Sequence, residues 1–153
     1  MRINKAVIMM TVSGISTEER SLIKSYLFLR FIHRVFERDC RIIQESGIFK
    51  TPELYVELVG SGAKKTAVLL KEIKQEFKSR SMKVFEISRS PDGVEAHYSC
   101  RGYVGCIEIL WPSFQQEMMT RMRAYLGLTH DFTDRASAAD PIPSAASPFP
   151  AVH

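Results

Sequence analysis

Residues 56–73 read VELVGSGAKKTAVLLKEI, and Gly60-Ser61-Gly62-Ala63-Lys64-Lys65-Thr66 at their centre holds residue types that bind anions. If a strand ends before this segment and a helix opens on its lysines, free backbone N–H groups, the helix dipole and two ammonium groups point at one spot. Without an anion, lysines in a first helical turn oppose the macrodipole, at roughly 0.3 kcal/mol or more each. Both nucleotide motifs fail on spacing. A P-loop needs four residues between its glycines and then Lys-Ser/Thr, whereas only Ser61 separates Gly60 from Gly62, and Ala63 precedes the lysines. A dinucleotide fingerprint needs a third glycine where Lys65 stands. Two readings remain: an anion or nucleic-acid contact, or a plain cap in which Ser61 closes the helix start.

Two rows of cations extend the first of these. Arg30, Arg34, Arg38 and Arg41 fall within an arc of roughly 80° on a helix, as do Lys64, Lys71, Lys74 and Lys78 on the next. A Glu37–Arg41 pair at i,i+4 neutralises part of the arginine row, while Glu72 and Glu76 lie on a different side from the lysines. Such rows are either solvated faces or phosphate-backbone contacts, the latter sequence-tolerant and strongly salt-dependent. Lys64, Lys65, Lys71, Lys78, Arg34 and Arg38 are the residues expected to meet an acidic partner, nucleic acid first. Glycine followed by paired lysines resembles, over about eight residues, the last helix of double-stranded-RNA-binding domains. Here, however, three strands follow that helix instead of preceding it, and order and motif cannot both be matched.

His97 alternates with Glu95, Ser99 and Arg101 on one face of a strand, with Glu86 and Glu108 as neighbours on flanking strands. A His–carboxylate pair does acid–base chemistry when buried in a cleft, and otherwise belongs to the solvated side of an antiparallel sheet. Cys100 and Cys106 have Arg101 to Gly105 between them, a longer spacer than zinc pairs favour, and no second pair follows. They read as a cross-strand contact or as two unrelated thiols. No motif calls for a metal or a cofactor. Three cysteines without a leader sequence argue against a disulfide framework.

The elements that must carry these residues follow from periodicity and punctuation. INKAVIMMTV, residues 3–12, reads as a strand. Ser16-Thr17-Glu18-Glu19 is a capping box, opening a helix that runs to about Glu45 and stops at Gly47. ELYVELV, residues 53–59, reads as a strand by its β-branched and aromatic content, and a helix follows from Ala63 to Ser79. Strands are expected at 82–88, 94–100 and 103–111, the first hairpin turning at Asp92-Gly93 through positive φ. Pro112 takes the first position of a last helix, 112–126. The order β-α-β-α-β-β-β-α, with three short strands in succession, defines an α+β fold: an antiparallel sheet with helices packed on one face. Residues 1–130 form one domain, and 131–153, with Pro141, Pro143, Pro148 and Pro150 among Ala and Ser, read as a disordered tail.

Composition agrees with a folded domain of basic character. Of the net charge of +4, residues 1–130 carry +6 and the last 23 carry −2, so the basic bias belongs to the folded part. The most apolar run, YLFLRFI at 26–32, is short and contains Arg30, so no membrane span is expected and a soluble, cytoplasmic protein is. That helix is nonetheless apolar on more than one side. It is either central to the core or lends a second face to another subunit, with Phe28 and Phe31 the rings expected at a homodimer contact. The sequence thus supports a non-enzymatic binding or regulatory protein, then a homodimeric interaction module, and third an enzyme built around His97.

Overall fold

The structure, a computed structural model, describes residues 15–128; the expected strand at 3–12 and tail at 131–153 lie outside them. Helix α1, Thr17–Ser46, opens with the expected capping box: the Glu19 amide donates to Ser16 Oγ at 3.1 Å, and the Ser16 amide donates to Glu19 Oε1 at 3.0 Å. It ends at Gly47, left-handed at φ 69°.

The next element departs from expectation. Residues 53–59 are no strand, and Gly60-Ser61-Gly62 is no turn; both lie inside one helix, α2, Pro52–Ser79. The reason is a stripe at helical spacing that crosses the glycines: Val59, Ala63, Thr66, Leu70, Ile73 and Phe77 all turn inward. This stripe, buried along α1, outweighs the local strand preference of ELYVELV. Gly62 is itself buried. A Cβ there would stand 2.8 Å from Phe36 Cε2 and 3.0 Å from Leu126 Cδ2, so the glycine lets the helices close rather than the chain turn.

Strands β1, Met82–Arg89, β2, Gly93–Cys100, and β3, Tyr103–Leu110, form an antiparallel sheet in the order β1-β2-β3. Helix α3, Trp111–Tyr125, closes the fold, with Pro112 one place further in than expected. The architecture is the expected α+β class, with the helices on one sheet face. The first turn works differently from its sequence signal, because Gly93 does not take positive φ. It is required for room, since a Cβ there would collide with the Ile109 carbonyl oxygen. The second hairpin turns through Arg101, φ 48°, and Gly102, φ 86°, the left-handed pair that matches strand twist.

Val94, Ala96, Tyr98, Cys100, Ile107 and Ile109 face the helices. α1 lies at the centre: Ile23 and Ile32, on opposite sides of it, are both 0% exposed. Most of its many-sided apolar surface is therefore covered within the chain, with Ile42 near its end left exposed. Phe28 packs 4.9 Å from Phe114, and Phe31 packs 5.0 Å from the same ring.

Candidate functional site

Lys64 and Lys65 stand well inside α2, whose N-terminus is at Pro52. The backbone cradle imagined for them does not exist, because helical bonds already take up those amides. Ser61, expected as a cap, instead donates from Oγ to the Leu58 carbonyl at 2.7 Å, a bond within the helix. Lys65, expected to meet the partner from beside the row, is engaged elsewhere: its Nζ donates at 3.1 Å to the Tyr125 carbonyl, where it offsets the negative end of α3. Lys64, Lys71 and Lys78 remain on one side of α2 and are all exposed.

At the far end of that row the fold builds a groove of about 310 Å³. Its cations are Lys74 and Lys78 of α2 and Lys83 of β1, and its apolar lining is Tyr26, Phe77, Met82 and Val84. Tyr26 holds edge-to-face contact with Phe77 at 5.3 Å. Its hydroxyl accepts from Arg30 Nη1 at 3.1 Å, and the Arg30 guanidinium lies 5.7 Å from its ring centroid. Arg34 and Arg38 continue from Arg30 at one-turn steps along α1. Tyr26 therefore joins the lysine groove to the arginine row, a connection made only by packing α1 against α2.

Arg89, at the end of β1, adds another cation. Its guanidinium sits 4.7 Å above the Phe31 ring, and its pKa is lowered by burial first and by the charge of Arg34 second. Glu37, expected to pair with Arg41, is instead 3.1 Å from His33 Nε2. His33 Nδ1 lies 2.9 Å from Thr66 Oγ1 and 3.1 Å from the Ala63 carbonyl, so that carboxylate belongs to the α1–α2 contact. The arginine ion pairs among the described residues use other cations: Arg80 with Glu18, Glu19 and Glu76, Arg101 with Glu19, and Arg121 with Glu117. Lys83 and Arg89 carried no helical-period signal, being on a strand. Lys74 and Arg30 were visible in their arcs, and Tyr26 read only as core.

A bidentate ion pair lies at the start of α1. Glu19 is buried and takes two hydrogen bonds from Arg101, at 2.8 and 2.9 Å. Those bonds, opposed by burial and helped by the Ser16 amide and the charges of Arg101 and Arg80, hold its pKa at about 2. Arg101 is thus drawn off the His97 row, against expectation, and latches the second hairpin to the start of α1.

His97 stands on the sheet face that no helix covers. The register places Glu86 and Cys106 opposite His97, and Glu108 opposite Glu95, as the alternation implied for the two acids. Cys100 faces the core and pairs with Tyr103, while Cys106 is exposed on the other face, so the two thiols make no cross-strand contact. His97 Nε2 is 3.6 Å from Glu95 Oε2, with about a third of the imidazole exposed. Phe28, expected at a subunit contact, is 5% exposed and covered by Phe114 and the Arg121 guanidinium. Phe31 is capped by Arg89 and Phe114.

A helical hairpin and a third helix on one face of a three-stranded meander, with a cationic row along the hairpin, define a small α+β protein with a basic surface. The chain belongs to the YhjD protein family, whose model matches residues 14–130. No curated protein and no solved structure matches it. No helix among the described residues is long and apolar enough to cross a membrane.

Proposed function

We propose that the protein is a non-enzymatic binding or regulatory protein that engages an acidic partner, a nucleic-acid backbone first, through Lys64, Lys71, Lys78, Arg34 and Arg38, with Lys65 at the margin. The observation that carries this reading is the groove in which Lys74, Lys78 and Lys83 surround Tyr26, whose hydroxyl is held by Arg30. Cations grouped along one side of α2 and onto β1 suit a strand whose phosphates lie along the row, while Tyr26 and Phe77, both buried, give the groove its apolar floor. A reducing, cytoplasmic setting fits the three free cysteines.

The test is fluorescence anisotropy of the full chain with short single- and double-stranded DNA and RNA, at low and moderate salt. Micromolar or tighter binding is expected, with log K falling against log salt by roughly 0.7–0.9 per phosphate neutralised. Lys71→Glu with Lys78→Glu should abolish that binding and leave the circular dichroism unchanged. Absence of binding at low salt defeats the reading.

A second reading, homodimerisation, has its own observation. Ile42, Ile48, Phe49, Leu54, Tyr55 and Leu58 are exposed around the α1–α2 connection, with the Phe49 and Tyr55 rings in tilted contact, 5.2 Å between centroids. Apolar residues so grouped mark a contact surface, and the contact moves from Phe28 to this end of the hairpin. Sedimentation should give twice the monomer mass, reverting to one in Leu54→Glu with Leu58→Glu; a monomer at the outset excludes it.

A further inference from the structure

On the uncovered face of the sheet, β2 and β3 bring three unlike donors together. A carboxylate oxygen of Glu95, a ring nitrogen of His97 and Sγ of Cys106 all lie within 4.8 Å of one another. The ladder is the cause. His97 and Cys106 are directly opposed, and Glu95, two residues before His97, projects to the same side. A tetrahedral zinc ion, with bonds of about 2.0–2.3 Å, separates neighbouring donors by roughly 3.3–3.8 Å. His97 Nε2 and Glu95 Oε2 already stand 3.6 Å apart.

The surroundings add to the case. Glu108 is directly across from Glu95, and Glu86 is across from His97, so the face is acidic where the rest of the protein is basic. The ladder is irregular between Val84 and Glu86, and Phe85 there sets its ring 6.3 Å from the imidazole. A thiol, an imidazole and one carboxylate form a borderline-soft set, suited to zinc and poorly suited to magnesium or calcium.

We propose that Glu95, His97 and Cys106 form a binding site for a divalent transition-metal cation of the zinc type, with its remaining coordination position open to solvent. The site uses none of the residues of the basic surface and stands or falls apart from it. Each donor is at least partly exposed, so a cation reaches the site without unfolding.

The experiment is a titration of the full chain, prepared without a polyhistidine tag and stripped with chelator, first with Co(II) and then with Zn(II). One equivalent of cobalt should raise a thiolate-to-metal charge-transfer band that zinc abolishes. Cys106→Ser should remove the band, and Cys40→Ser should leave it intact. His97→Ala should weaken zinc binding by more than about 10-fold, since loss of even an outer-sphere partner costs that much. Circular dichroism of each variant checks the fold, and these three positions are off the core. No charge-transfer band in the parent protein overturns the proposal, as does a band that survives Cys106→Ser.

Discussion

Replacing Gly60 and Gly62 by alanine, one at a time, tests how α1 and α2 meet. Both glycines are inside α2, so each substitution gains the same helix propensity, about 1 kcal/mol. Their surroundings differ. A Cβ on Gly60 finds Cys40 Sγ at 4.0 Å as its nearest neighbour, an ordinary contact. On Gly62 it meets the Phe36 ring at 2.8 and 3.1 Å and Leu126 at 3.0 Å, and Phe36 is 1% exposed with little room to yield. Overpacking of this kind costs about 1–3 kcal/mol. Gly60→Ala should therefore stabilise by about 0.5–1 kcal/mol, and Gly62→Ala should fall below it by about 1–3 kcal/mol. Because propensity cancels between the two, the difference reads packing alone. At roughly 4 °C per kcal/mol the gap is visible in a thermal melt followed by circular dichroism, with urea denaturation as the quantitative check. Equal stabilisation by both would refute the close approach at Gly62. Strong destabilisation by both would return the segment to the turn that the sequence suggested.

Two further outcomes follow from the core and its latch. The pKa of Glu19 is depressed from 4.5 to about 2, so its contribution is present above pH 4.5 and lost as pH falls from there toward 2. With Arg101 half in solvent, that contribution is roughly 2–3 kcal/mol, and Glu19→Gln should lose it and flatten stability against pH in that window; an unchanged profile contradicts the latch. Phe28→Ala should cost about 3–5 kcal/mol in urea unfolding, whereas a change in sedimentation mass at full stability would restore the ring to a subunit contact.

Much of the fold was legible because it is set by neighbours in sequence. The Ser16–Glu19 box, the stop at Gly47 and the three-strand meander depend on contacts a few residues apart, and each appears where its residues predict. The glycines of α2 misled for a physical reason. A glycine in a helix costs about 1 kcal/mol against alanine, which argues for a turn until a packed ring offsets it. That ring belongs to Phe36, on another helix. The basic residues were legible as rows, but their value was not: Lys65 serves the end of α3, and Glu37 serves His33.

By itself, then, the sequence determined the α+β class, the start and stop of α1, the places of the two hairpins, and the excess of cations on two helices, because these rest on local backbone preference and on composition. Tertiary structure alone decided that residues 53–59 are helical, that Tyr26 links Arg30 to Lys74, Lys78 and Lys83, and that Cys106 meets His97 rather than Cys100. These pairings join distant segments, and the burial of apolar stripes that brings the segments together takes no account of which polar groups arrive beside one another.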